Sequence, residues 1–355
     1  MSSRRHVLWV STDLGTPGGV ASCARALLAT PLRAQWGVRH VATHRSGSIP
    51  VRLLAFLRGV ALFSAAMVRR PLLVHLHMAS YGSFTRKSVL AWLAIAARVP
   101  VVLQVHGGEF HQFHDRSPTP YQRYIRATLT RVDAVTALGE RWAGRLRAIA
   151  PGAQVRVIPN AVRPAERVKQ PSADGEVHVV FVGDVSDAKG AFTLLDAWAQ
   201  ATASLPPGRA RLTVGGRGEL ARAEARVAEL DTTDSVDVRG WIEPPEVARL
   251  LRTAHVLALP SRAEGQPMAV LEAMAHGLCV VASAVGGIPD LIDGGCGLMV
   301  RPDDVDGLAE TLRRILDAPA LRAELGAAAH ERVCREFDIE IVWRQFDALY
   351  RELVG

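Results

Sequence analysis

The chain has 355 residues, of which 49% are hydrophobic and 22% charged, with 12 His, four Cys and a formal net charge of +7. That length and apolar content fill two ordinary cores, which excludes a disordered chain and a disulfide-stapled miniprotein. The charge is unevenly placed: residues 1–165 carry 22 Lys+Arg against 5 Asp+Glu, and residues 166–355 carry 20 against 30. The first half is therefore expected to meet an anionic partner, a membrane surface or a phosphorylated acceptor, while the want of a binding module or of basic–aromatic interleaving argues for no nucleic acid. All the cations except Lys87, Lys169 and Lys189 are Arg. Arginine-rich composition would account for abundant cations, not for the scarcity of acids in one half. Cys23, Cys279, Cys296 and Cys334 have neither metal-ligand spacing nor disulfide density and fit a reducing cytoplasm.

Strands and helices alternate, the pattern of parallel sheets covered on both faces. Residues 7–11 read as a first strand and not as a signal peptide, because the apolar run from His6 to Val10 ends at once in Ser11-Thr12-Asp13. Gly18-Gly19-Val20 opens a helix to Leu28; such a turn serves phosphate approach and plain chain reversal alike. Residues 39–43 are a second strand. Residues 51–70 form a helix that is apolar nearly all round, with Arg52, Arg58, Arg69 and Arg70. It reads as core-packed with snorkelling arginines or as an interfacial membrane helix, and as too short and too interrupted by Arg58 to span a bilayer.

Residues 72–76 make a third strand, and His75 and His77 share one face if it runs through them. Arg86 and Lys87 stand just inside the next helix, where its dipole opposes them unless an anion is held there. Residues 101–105 are a fourth strand ending in His106-Gly107-Gly108-Glu109. His106, His111 and His114 have the ligand type for zinc but no cysteine or carboxylate shell, so no metal is expected. Helix, strand, helix and strand follow over 121–131, 132–137, 140–150 and 155–158. Residues 159–175 then read as a linker, and the charge changes sign there, placing a domain boundary near 165.

Residues 177–182 begin the second half, followed by Gly183-Asp184 and Lys189-Gly190. After a strand at 211–214, Gly216-Arg217-Gly218-Glu219-Leu220-Ala221 matches a dinucleotide-binding fingerprint, with Asp237 at about the right distance. A short strand at 236–238, a helix at 244–252 and a strand at 254–259 lead to Pro260-Ser-Arg-Ala-Glu-Gly-Gln-Pro-Met-Ala-Val-Leu-Glu-Ala-Met-Ala-His-Gly277. This stretch joins a strand end to a helix start, where open α/β sheets bind ligands and unpaired N–H groups favour an anion. Glu264 in the loop and Glu272 in the helix suit a polyol ligand, since carboxylates accept from paired hydroxyls. Residues 279–282 are a strand, Gly286-Gly287 a turn, and helices fill 305–316, 321–337 and 339–353.

That stretch, with Val280-Val281-Ala282 and Gly286-Gly287-Ile288-Pro289-Asp290 behind it, resembles the nucleotide-sugar glycosyltransferases of family 4. The resemblance covers the C-terminal half closely and the N-terminal half loosely. It implies an α/β chain of two Rossmann-like domains facing each other across a cleft, the GT-B fold: an acceptor-side domain over 1–165, a nucleotide-sugar domain over 166–336, and a helix over 337–355 crossing back to the first. It implies a retaining transfer of hexosyl type, from a nucleoside diphosphate sugar to a hydroxyl acceptor, without cofactor or metal. A lipid-linked acceptor in polysaccharide or glycolipid assembly is one option. The enzyme would be cytoplasmic, with the basic half raising attachment at the inner membrane face.

By the same resemblance His106, Glu264 and Lys189 are catalytic. Gly18, Gly19, Lys189, Arg217, Arg262, Gly265, Gln266, Met268, Ala269 and Glu272 hold the donor, and His77, Ser80, Arg86 and Lys87 lie on the acceptor side. One position departs from the pattern. The family has Gly-Arg ahead of Lys-Gly to clamp the diphosphate, and here Asp184 follows Gly183, so Arg217 or Arg262 supplies the second cation or donor binding is weakened. Three other readings stay open: a nucleotide-sugar epimerase or hydrolase of this fold, an NAD-linked oxidoreductase using Gly216–Ala221, and an inactive anion-binding partner protein.

Overall fold

Residues 6–355 are described by the computed structural model, and their apolar runs pair into two separate all-parallel sheets of six strands each. Met1–Arg5, and the part of the leader reading that rests on them, lie outside the described residues. The first sheet is built from β1 (Val7–Ser11), α1 (Gly19–Leu28), α2 (Leu32–Gln35), β2 (Arg39–Ala42), α3 (Ile49–Val68), β3 (Leu73–Met78), α4 (Gly82–Ala96), β4 (Val101–Val105), α5 (Phe110–Asp115), α6 (Thr119–Arg131), β5 (Ala134–Ala137), α7 (Glu140–Ile149) and β6 (Val155–Val157). Its order is β2-β1-β3-β4-β5-β6. β1, β3 and β4 are buried at every residue, as central strands covered on both faces must be.

The second sheet comes from β7 (Val177–Val182), α8 (Ala191–Thr202), β8 (Ala210–Gly215), α9 (Leu220–Glu229), β9 (Val236–Arg239), α10 (Pro244–Leu251), β10 (Val256–Leu259), α11 (Met268–Ala275), β11 (Cys279–Ser283), α12 (Pro289–Ile292), β12 (Leu298–Val300), α13 (Val305–Asp317) and α14 (Pro319–Arg332). Its order is β12-β11-β10-β7-β8-β9. Both sheets therefore change winding direction beside their first strand, between β1 and β3 and between β7 and β10. In open α/β sheets that switch point opens a crevice at the carboxyl ends of the two strands.

The described residues divide into two units, residues 6–161 with Ile339–Gly355, and Val162–Asp338. The last helix, α15 (Ile339–Val354), packs on α1, α2 and β3 of the first unit. Trp9 Nε1 donates to Tyr350 Oη at 3.0 Å, and that hydroxyl lies 2.5 Å from His75 Nδ1. Tyr350 is fully buried, so both contacts are made away from water.

Several elements differ from the sequence expectation. The apolar helix α3 is neither core-packed nor short: it starts at Ile49 with Pro50 in its first turn, runs 20 residues, and is long and apolar enough to cross a membrane by length and composition. Only Gly59 and Phe63 are buried. Ile49, Val51, Leu53, Leu54, Leu57, Leu62 and Val68 face outward. Gly59 is where the helix crosses β2, since a Cβ there would lie 2.6 Å from the Ala42 carbonyl oxygen. The His-rich segment after β4 is largely the helix α5, with His114 Nδ1 2.8 Å from Asp115. The expected helix over 321–337 ends at Arg332 and continues as a π-helical turn, Val333–Phe337. Residues 162–171 of the expected linker are tied to the second unit: Ala165 and Val168 N–H donate to the Ala275 and His276 carbonyls at 3.1 and 2.8 Å, and buried Arg322 donates to Gln170 at 3.1 Å.

Candidate functional site

At the switch point of the second sheet, the loops leaving β7 and β10 close on each other. Arg262 N–H donates to the Ala188 carbonyl at 2.9 Å, and Gly190, at φ 71°, leaves no room for a side chain because a Cβ there would lie 2.0 Å from the Pro260 carbonyl oxygen. This contact brings Lys189 Nζ to 2.7 Å from Glu264 Oε1. Ser261 Oγ donates to the same carboxylate oxygen at 2.8 Å. Glu264 is buried while Lys189 is 31% exposed, so the pair presents its ammonium side to a ligand. Gln266 and Met268 are also buried, and Gly265, Ala269 and Glu272 half-buried. α11 starts at Met268 behind Pro267 with no side-chain cap, leaving its first-turn N–H groups and positive dipole end beside the pair.

The other cations expected here are engaged. Arg262 Nε binds both oxygens of Asp303 at 2.8 and 2.9 Å, and the Arg217 guanidinium lies 4.7 Å over the Trp241 ring. Asp184 is exposed at the end of β7. The Gly216–Ala221 fingerprint has a different cause. A Cβ on Gly216 would meet the Gly183 carbonyl oxygen at 1.6 Å and one on Gly218 the Val185 carbonyl oxygen at 2.3 Å. The two glycines let the loops after β7 and β8 run side by side, joined by the Val185–Gly218 bridge. Asp237 pairs with Arg239 at 2.6 Å.

In the first unit, the switch point carries imidazoles. The His75 and His77 rings stack at 4.4 Å and those of His77 and His106 at 5.4 Å, with Trp9 tilted against His77 at 4.8 Å. His77 Nδ1 is 3.2 Å from His106 Nε2. Burial, then His106, pushes His75 down to about 3, and burial, then Lys87, pushes His106 to about 3; burial holds His77 well below the usual range. All three are neutral near pH 7, so His106 offers a hydrogen bond and no charge. Lys87, 3% exposed, donates to Ser83 Oγ at 3.1 Å, and burial together with Arg86 lowers its ammonium to about 7. Gly18, at φ 125°, caps the start of α1 and is exposed along with Gly19.

Thus Lys189, Glu264, Arg262, Gly265 and Gln266 gather at one loop pair, with Glu272 in the helix that follows. His77, Ser80, Arg86, Lys87 and His106 belong to another cluster in the first unit. Ser261 and Asp303 escaped sequence reasoning. Ser261 stood inside the recognised stretch, whereas nothing near Asp303 marks it. Among the described residues no group of three His, Cys, Asp or Glu side chains is placed to hold a metal ion.

Residues 19–166 match the family model described as Glycosyltransferase Family 4, and residues 176–318 the one described as Glycosyl transferases group 1. The chain is 32% identical over 293 residues to 2-deoxystreptamine glucosyltransferase of Streptomyces kanamyceticus, covering 74% of this chain and 73% of that one. It is 34% identical over 161 residues to the GDP-mannose-dependent monoacylated alpha-(1-6)-phosphatidylinositol monomannoside mannosyltransferase of Corynebacterium glutamicum, which is 43% of this chain and 42% of the relative. The chain thus spans less than half the length of that relative. Its fold is that of sucrose-phosphate synthase from Thermosynechococcus elongatus, at a TM-score of 0.81 and 24% identity over 99% of both chains. The chain belongs to the family 4 glycosyltransferases, glycosyl transferases group 1, enzymes of the GT-B fold.

Proposed function

We propose that the protein transfers a sugar from a nucleoside diphosphate sugar to a hydroxyl acceptor with retention of anomeric configuration. The observation that carries this is the Lys189–Glu264 pair at the β7–β10 switch point, 2.7 Å apart beside the uncapped start of α11. As the sugar–oxygen bond breaks, charge builds on the diphosphate. Lys189 and the first N–H groups of α11 stabilise it, an effect that grows in a preorganised, partly dry site. Glu264 accepts from hydroxyls of the sugar and Glu272 from those of the ribose. No side chain stands as a dedicated base, and the departing phosphate takes the acceptor's proton. Lys189 and the helix end supply the neutralisation that a divalent ion gives elsewhere, so the proposed reaction needs no resident metal.

We place the acceptor at an anionic membrane surface on the cytoplasmic side. α3 supports this, with seven large apolar residues outward and Arg52, Arg58, Arg69 and Arg70 along or just beyond it. So does the name of the Corynebacterium relative, whose acceptor is a phosphatidylinositol mannoside. Calorimetric titration with UDP-, GDP- and ADP-sugars tests the donor part. One of them should bind, and labelled sugar should reach an added acceptor. No binding of any of the three, or release of free sugar whether or not acceptor is present, would overturn the reading.

A further inference from the structure

We propose that the first unit holds a phosphate group at the amino end of α4, between Lys87, Arg86 and Ser80. On the transferase reading this phosphate belongs to the acceptor; only the identity of its bearer rests on that reading.

The first argument is a buried amine with no counter-charge. Lys87 is 3% exposed and its ammonium has one partner, Ser83 Oγ at 3.1 Å, which already accepts from Ala79 N–H at 3.1 Å. A buried ammonium without a counter-charge is costly, and proteins keep few of them unless something binds there. The second argument is unused donors. Arg86 Nε and Ser80 Oγ are both buried without a hydrogen-bond partner. The third is what faces them. Arg52 from α3 acts on Arg86, and Arg52, Arg86 and Lys87 all act on His44 after β2; Lys87 also acts on His77 of β3 and His106 after β4. Every one of these groups is positive or neutral. Arg86 is lowered by burial and Arg52, and Lys87 by burial and Arg86, with no carboxylate acting on either.

The backbone packs closely against two of these groups. A Cβ at Gly107 would sit 2.5 Å from Ser80 Oγ, and one at Gly82 would sit 3.2 Å from Arg86 Nη1, so both positions hold glycine where the chain lies against the proposed ligands of the phosphate. α4 has 15 residues, no acidic residue in its first turn and no side-chain cap, so the positive end of its dipole is not offset by a carboxylate of its own first turn, although Ser83 N–H is taken by the Ser80 carbonyl at 3.2 Å. Two cations, a hydroxyl and a helix end match a phosphate better than a carboxylate, because a phosphate carries more charge and more acceptor oxygens.

The test is calorimetric titration of the whole chain with inorganic phosphate in two buffers of different ionisation enthalpy. Between about 7 and the ordinary 10.5 the empty site leaves Lys87 neutral, so binding at about pH 8 should draw in a proton. Lys87→Met keeps the length and apolar fit but removes the charge, and should weaken phosphate about tenfold or more. Ser80→Ala, a milder change, should weaken it about threefold and serves if the first variant does not fold. Phosphate that binds Lys87→Met and Ser80→Ala as well as the wild type, or no binding up to about 50 mM, overturns the site. Pelleting with phosphatidylcholine vesicles containing phosphatidate distinguishes the source. Pelleting lost in Lys87→Met makes the bearer a lipid headgroup, and pelleting kept while phosphate affinity falls makes it a soluble ester; each supports the site. Failure of the transferase reading would instead show as wild-type protein that binds phosphate and no nucleoside diphosphate sugar.

Discussion

Lys189 Nζ and Glu264 Oε1 are 2.7 Å apart although 75 positions separate them, and they meet because their loops leave neighbouring strands of one sheet. The carboxylate is buried and held also by Ser261, so its position is fixed before a ligand arrives. Preorganisation of this kind is what electrostatic catalysis requires.

Glu264→Gln keeps the shape and the Ser261 contact but frees Lys189. Affinity for the nucleoside diphosphate should hold or rise, while turnover should fall by about a hundredfold or more. Steady-state kinetics alongside donor titration separates the two. A variant that loses affinity and keeps turnover contradicts the role given to Glu264.

Glu272→Ala should weaken the nucleoside diphosphate sugar by about 1–3 kcal/mol, the loss of a charged hydrogen bond to the ribose. The same substitution should leave the affinity for inorganic pyrophosphate unchanged. Equal donor binding by a folded variant removes the ribose assignment.

Arg262 is tied to Asp303 by two contacts on a half-exposed surface. An ion pair of that exposure is weak, so Asp303→Asn should release the guanidinium and tighten diphosphate binding about two- to fivefold. Asp184→Arg should act in the same direction. If it abolishes binding, Asp184 has a positive role.

His75, His77 and His106 titrate far below the ordinary 6.5, two of them at about 3. Their folded values are depressed, so the stability they contribute is complete above about 6.5 and is lost as the pH falls toward 3. Each should cost about 1.4 kcal/mol per pH unit inside that window. Urea midpoints of the chain should therefore fall steeply from about pH 6 to 4, and less steeply in His77→Gln. A flat profile would mean that the imidazoles are less buried than they stand here.

Leu54 and Leu57, 68% and 56% exposed on α3, contribute little to the core. Leu54→Glu with Leu57→Glu should leave the melting temperature nearly unchanged and reduce pelleting with anionic vesicles at low salt. Reversing Arg69 and Arg70 to Glu should do the same, each cation being worth about 1 kcal/mol near such a surface. Pelleting that survives both changes would detach α3 from the membrane.

The parallel sheets and the β10–α11 join were legible because apolar runs and turn residues alternate at a βαβ spacing, and because local chemistry sits in one contiguous stretch. The orientation of α3 was not. A helix apolar on all sides has no polar face to say which side meets water, and only the packing of Gly59 and Phe63 decides it. The glycines at 216 and 218 misled for a related reason: a close approach between two loops and one to a pyrophosphate both require the missing Cβ. Contacts such as Arg262–Asp303 and Trp9–Tyr350 leave no local trace, since they depend on where the sheet brings distant segments.

The hydroxyl of Tyr350 bears on the order of synthesis. β1 and β3 are made before the second unit, yet the indole of Trp9 and the ring of His75 must wait for a partner made after that whole unit. The first unit is begun before the second and finished after it. Its central strands are made before α15, and in that interval a chaperone would protect the surface meant for α15, which an early stop would leave bare.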